Sequence, residues 1–238
     1  MKTPGENAAL HASRSASPTV ICWLDDVLYP ARMYHEGACR AGAGLLRHLI
    51  GVDMHDALSV CYVPGREEDT VRKVLSGVGT KTDERLVRKV AEAMAVHTPQ
   101  VSPYADALET FGILQALGVS LWLLGEGPPR AQRLVADRLG LGRVFQGVAY
   151  SDPHQSKYEW QDSLMLLELA AGVEADQSVL VCADPVRVAA IAKQGRRVYY
   201  LDRKADPIAR RPPVPNVIPM LNLYDLPEAL GLVAWDRN

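Results

Sequence analysis

Residues 18–30 read PTVICWLDDVLYP. The run Val20, Ile21, Cys22, Trp23, Leu24 is apolar and β-prone, and it drives straight into two adjacent carboxylates, Asp25 and Asp26. A buried parallel strand of an open α/β sheet ends this way, because ligands of such sheets sit beyond the carboxyl ends of the strands. Trp23 is the oddity. A large indole stands two residues before Asp25, at a place where the stretch calls for another acid.

Working outward, a second pattern begins at residue 105: a helical stretch, a glycine, then an apolar run. ADALETFGILQAL ends at Gly118 and gives way to VSLWLL; PPRAQRLVADRL ends at Gly140, with VFQGVAY following. SLMLLELAA ends at Gly172 before SVLVCA, and VRVAAIAKQ ends at Gly195 before RRVYYLD. Glycine just past a helix takes the left-handed conformation that closes it. Ala107, Phe111, Leu114 and Leu117 recur at helical spacing, one face of an amphipathic helix. Strands alternating with such helices predict right-handed crossovers and a parallel sheet covered on both faces. With the strand at 19–24 this makes a five-stranded sheet. The proline-rich RRPPVPNVIP (210–219) reads as a connection to a last helix in NLYDLPEALGLV.

Between the first strand and Ala105 the pattern breaks. Residues 31–97 carry helical runs such as ACRAGAGLLRHLI, EDTVRKVLSGV and DERLVRKVAEAMAVH and no convincing strand. The expected organisation is a polar tail over 1–17, an α/β core over 18–30 and 101–238, and an inserted helical subdomain over 31–100.

Composition excludes several classes. The 238 residues are 48% hydrophobic and 23% charged with a net charge of −2, so no basic surplus argues for nucleic acid or an anionic membrane. No apolar run approaches the roughly 20 residues of a membrane span, and the N-terminus lacks a signal peptide's apolar stretch. Cys22, Cys39, Cys61 and Cys182 are scattered without CxxC spacing, which predicts free thiols and a cytoplasmic setting. The six histidines, His11, His35, His48, His55, His97 and His154, show no metal spacing. Arg130, Arg133 and Arg138 read as a solvated helix face.

The segment order resembles the haloacid dehalogenase superfamily, in its phosphatase-like branch with a helical cap after the first strand. LDDVLYP (24–30) fits the opening DxDDTLYP with Trp23 at its first aspartate. VHTPQVSPYADA (96–107), LGVSLWLLGEG (117–127), VADRLGLGRVFQGVAYSD (135–152) and VLVCADP (179–185) follow in the family's order. The resemblance spans about residues 18–230 and implies a Rossmann-like core with an α-helical cap over 31–100.

For activity it points the other way. In this family a first aspartate attacks phosphorus, and a second, two residues on, moves a proton. Mg²⁺ is held by the nucleophile and by an acid after the fourth strand, while a Thr or Ser and a lysine bind the phosphoryl group. Here the nucleophile's place is Trp23, and Asp25 stands at the acid/base. The Thr/Ser place is Gly125, followed by Glu126. The metal carboxylate's place is Ala183, unless a one-residue shift brings Asp184 there, and the next acidic place falls near Arg187 or Val188. Lys157 keeps the lysine's place, with Tyr158 where a proline is expected.

The resemblance therefore implies a catalytically inactive pseudo-phosphatase acting as a binding or regulatory module. Asp25 and Lys157 would be vestigial, and Asp26, Gly125, Glu126 and Asp184 would line a ligand cleft. No cofactor is expected, the Mg²⁺ of active relatives included. A protein partner or a small ligand would enter the cap–core cleft. Two alternatives stand beside it: a hydrolase with a relocated mechanism using Asp25 with Asp26 or Glu126, and a receiver- or flavodoxin-like binding domain, which the long helical insertion disfavours.

Overall fold

The computed structural model describes residues 18–79, 83–152, 159–204 and 214–232. β1 (Thr19–Trp23) is buried along its whole length, as an apolar run flanked on both edges must be. On one side it pairs with β2 (Ser120–Glu126), placing Trp23 opposite Leu124; on the other it pairs with β4 (Ser178–Cys182), placing Cys22 opposite Val181. β3 (Gly147–Ser151) lies outside β2, and β5 (Val198–Leu201) and β6 (Val217–Met220) outside β4. All pairings are parallel, in the order β3-β2-β1-β4-β5-β6.

The sheet has six strands, not the five expected from the sequence. β6 lies inside the segment taken for a proline-rich connection, and it contains Pro219 opposite Tyr200. Proline has no N–H to give a ladder, so a proline-rich stretch reads as irregular. An edge strand tolerates it, because one side of its backbone needs no partner.

Four helices follow β1: α1 (Ala31–Ile50), α2 (His55–Cys61), α3 (Glu67–Gly77) and α4 (Glu84–Ala95). They bury a cluster of their own, including Leu46, Met54, Leu58, Leu75, Val87 and Met94, separate from the cluster around the sheet. Gly42 lets α1 and α4 meet closely: a Cβ there would lie 2.8 Å from the Met94 Sδ. The alternation then begins, with α5 (Ala105–Ala116) leading to β2, α6 (Pro129–Arg138) and a 3₁₀ turn to β3, α7 (Trp160–Ala171) to β4 and α8 (Pro185–Lys193) to β5. The glycines read as helix closers, Gly118, Gly140, Gly172 and Gly195, all have positive φ. A short α9 (Leu226–Ala229) ends the described chain.

A buried ion pair ties the sheet's far side to the loop after β1. Asp106, in the first turn of α5, accepts both guanidinium donors of Arg203 at 2.8 and 2.9 Å and the Leu223 N–H at 2.7 Å. Arg203 also donates to the Val27 carbonyl at 3.0 Å, and its guanidinium lies 3.7 Å from the centre of the Tyr104 ring. All four cysteines are free. Among the described residues no helix is long and apolar enough to cross a membrane.

Candidate functional site

Beyond the carboxyl ends of β1, β2 and β4 lies a cleft of about 580 Å³, closed from above by Val63 and Pro64 of the α2–α3 connection. Trp23, Asp25, Asp26, Glu126, Ala183 and Asp184 all border it. The parallel register explains the convergence, since Trp23 and Glu126 end adjacent strands and Ala183 follows the next one. Gly125 sits one residue inside Glu126 on β2. Lys157 and Tyr158 lie outside the described residues.

The chain turns sharply after β1. Asp26 adopts φ 59°, a left-handed conformation that aspartate tolerates better than most residues, and its carboxylate accepts the Ala31 N–H at 3.0 Å. That turn returns Tyr29 beneath Asp25, where the phenol donates to Asp25 Oδ1 at 2.7 Å. The Gln132 amide of α6 donates to the other carboxylate oxygen at 3.2 Å. Burial drives the Asp25 pKa up to about 6 against the opposing effect of these two hydrogen bonds; the Asp26 and Glu126 charges raise it further. Burial and the Asp25 charge push the Tyr29 phenol upward as well, so it stays a donor.

Trp23 points into the site and is only 4% exposed. Its indole N–H donates to Glu126 Oε2 at 3.0 Å, and its ring meets Trp160, the first residue of α7, edge-on at 5.8 Å. Arg187 of α8 closes the other side of Glu126, donating through Nη2 to Oε1 at 2.7 Å and through Nε to Oε2 at 3.0 Å. The guanidinium also stands 5.7 Å from the Trp160 ring centre. Asp184 spends its carboxylate on the start of α8, accepting the Val186 and Arg187 N–H groups at 2.7 and 3.2 Å. A β-carbon on Gly125 would lie 2.8 Å from both Gln132 Oε1 and Tyr150 Cδ1. Threonine or serine at that position requires Gln132 and the Tyr150 ring to move.

This donor set does not fit Mg²⁺, which takes hard oxygen ligands. The strand ends present an indole at Trp23 and a methyl group at Ala183, and a guanidinium already neutralises Glu126. Among the described residues no three His, Cys, Asp or Glu side chains are grouped to hold a metal. Both oxygens of Asp25 are already engaged as acceptors. What remains is a carboxyl group able to exchange a proton near pH 6.

Four residues of the site escape sequence reasoning. The positive charge opposing Glu126 comes from Arg187, whereas the sequence offered Lys157 for that role. The resemblance puts an acidic place near Arg187 or Val188, and a basic residue there is its signal. Gln132 and Trp160 belong to the early turns of helices that follow β2 and β3, the part of a helix nearest the strands' carboxyl ends. Tyr29 lies within the opening motif, but only the turn at Asp26 folds it back onto Asp25. His97, by contrast, is a buried structural residue, its Nδ1 2.7 Å from the Met94 carbonyl oxygen and its ring tilted on Tyr34. Arg130, Arg133 and Arg138 are exposed along α6.

Replacing Asp25 by asparagine should stabilise the protein above pH 6 and leave it unchanged near pH 3. Asparagine keeps an acceptor for Tyr29, and its amide can donate to Gln132 Oε1, which lacks a partner in the native chain. The folded pKa of Asp25 is raised, from 3.8 to about 6. The native protein therefore loses stability as pH rises through that interval, and the variant does not. The difference should reach about 1–3 kcal/mol and then level off. Melting curves of both proteins from pH 3 to 8 check this; a constant difference would place Asp25 in an ordinary solvated environment.

No family model matches the sequence, and no curated protein matches it. Solved structures do. A predicted phosphoglycolate phosphatase from Haemophilus somnus superposes with a TM-score of 0.67 at 14% identity, over 91% of this chain and 99% of that one. The L-2-haloacid dehalogenase of Xanthobacter autotrophicus with chloropropionic acid covalently bound gives 0.61 at 16% identity, over 92% and 100%. A HAD phosphatase from Thermococcus onnurineus gives 0.60 at 19%, over 90% and 98%. The parallel sheet, its strand order and these superpositions together show that the chain has the fold of the haloacid dehalogenase superfamily.

Proposed function

We propose that this chain is a catalytically inactive protein of that fold, a pseudo-phosphatase that works as a binding or regulatory module through its cleft. In this reading residues 31–100 are the cap, residues 18–30 and 101–238 are the core, and the ligand or protein partner enters between them. The carrying observation is the Trp23–Glu126–Arg187 set: an indole at the end of β1 bonded to a glutamate that is itself paired with an arginine. Covalent phosphoryl or haloacid chemistry on this scaffold needs a carboxylate where that indole stands. Metal assistance needs oxygen ligands where Ala183 and Arg187 stand. Four free thiols suit a cytoplasmic setting.

A second reading keeps Asp25 as an acid or base in a relocated hydrolysis. Its favouring observation is the carboxyl group poised near pH 6 and oriented by Tyr29 and Gln132. One experiment separates the two. Purified protein is offered p-nitrophenyl phosphate and 2-chloropropionate, with and without Mg²⁺. No turnover above the uncatalysed rate is expected. Turnover that Asp25→Asn abolishes would replace the first reading with the second.

A further inference from the structure

We infer that Trp23 and Arg187 form a built carboxylate-binding site whose resident ligand is the chain's own Glu126. Three donors converge on this one carboxylate: the Trp23 indole N–H, Arg187 Nε and Arg187 Nη2. Together they engage both oxygens in the planar two-point arrangement that a guanidinium fork offers a carboxylate. The donors and the acceptor come from different parts of the fold. Trp23 ends β1, Arg187 lies in the first turn of α8, and Glu126 ends β2. Each donor residue also has an anchor apart from Glu126, and the Arg187 guanidinium stands 5.7 Å from the Trp160 ring centre. Trp23 is packed in the core against Trp160, and the Arg187 backbone N–H is tied to the Asp184 cap. Removing the Glu126 side chain therefore leaves the Trp23 donor in place and opens a space beside it where a small carboxylate can meet the Arg187 fork.

The arrangement sets the ligand class of the native cleft. Trp23 and Arg187 are the anion-binding groups on its wall, and Glu126 satisfies both. Among the described residues Asp25, Asp26 and Asp184 are the remaining charged groups there, all acidic. A free phosphate or carboxylate thus meets negative charge on this wall with the Trp23 and Arg187 donors already engaged, which favours neutral or cationic ligands there. Glu126 is the residue that decides this selectivity. The inference rests on the cleft being a binding site, yet its test reads binding and not turnover, so either proposal can fail without the other.

The test is rescue of Glu126→Ala by formate and acetate at constant ionic strength, with chloride as the balancing anion. Melting temperature and tryptophan fluorescence are followed. Formate should raise the melting temperature of the variant saturably, by about 5 °C or more at a hundred times its Kd. The parent should not respond, nor should Glu126→Ala combined with Arg187→Met, and phosphate should act more weakly than formate. A variant that folds only when formate is present supports the inference in the same way. Should Glu126→Ala remain unfolded throughout, the same titration is run in sucrose, which favours the compact state without occupying the opened space. Formate must then stabilise that variant, and not its Arg187→Met double. No saturable response in the folded variant, or an equal response in the parent or the double, would overturn the site.

Discussion

Trp23→Asp, which sets a carboxylate at the end of β1, is expected to lower the unfolding free energy by about 3–5 kcal/mol. It should not create Mg²⁺-dependent hydrolysis. The indole is buried in the core against Trp160, so its loss leaves a cavity that the central strand, paired on both sides, cannot collapse to fill. The incoming carboxylate would sit beside Glu126, whose Oε2 now accepts the indole proton at 3.0 Å. Two carboxylates would then share the single guanidinium of Arg187, and like charges at such a distance repel by kilocalories. Metal would find one new oxygen ligand, with Ala183 and Arg187 unchanged around it. Urea unfolding of parent and variant, with and without Mg²⁺, checks the stability. Turnover of p-nitrophenyl phosphate checks the chemistry. A magnesium-induced rise in the variant's melting temperature together with turnover would mean that Trp23 is the sole obstacle.

Asp106→Ala should cost a comparable amount, about 3–5 kcal/mol, for a different reason. The Asp106 side chain is 5% exposed and its partner Arg203 18%, so truncation strands a guanidinium in a largely dry place. Three further contacts loosen with it. The Leu223 N–H loses its acceptor, the hold of Arg203 on the Val27 carbonyl weakens, and so does its stacking on Tyr104. Val27 belongs to the turn that presents Asp25 and Asp26, so the loss should spread to the cleft and change the tryptophan emission of the folded variant. Asp106→Leu with Arg203→Met should recover much of the stability, because replacing a buried pair on both sides removes the uncompensated charge. Equal losses in the single and double variants would show that the damage lies in packing and not in charge.

Much of the fold was legible because its signals are local. An apolar run ending in Asp25 and Asp26 announces a central parallel strand. Gly118, Gly140, Gly172 and Gly195 announce helix ends, since each takes a backbone conformation that other residues adopt with strain. β6 was not legible, because Pro219 contradicts strand propensity wherever position in the sheet is unknown. Only the sheet places it at the edge.

The candidate site divides along the same line. Read one residue at a time, the sequence shows which side chains stand at 23, 125 and 183, an indole, a glycine and a methyl group. What those side chains touch is visible only in three dimensions. Trp23 and Glu126 are separated by 103 positions and Glu126 and Arg187 by 61, yet they are hydrogen-bonded neighbours. Parallel strands bring their carboxyl ends to one edge however long the connections between them, and a buried charge is stable only with a partner in reach. Which partner Glu126 takes is therefore fixed by strand order and helix placement, quantities that no single segment of the chain contains.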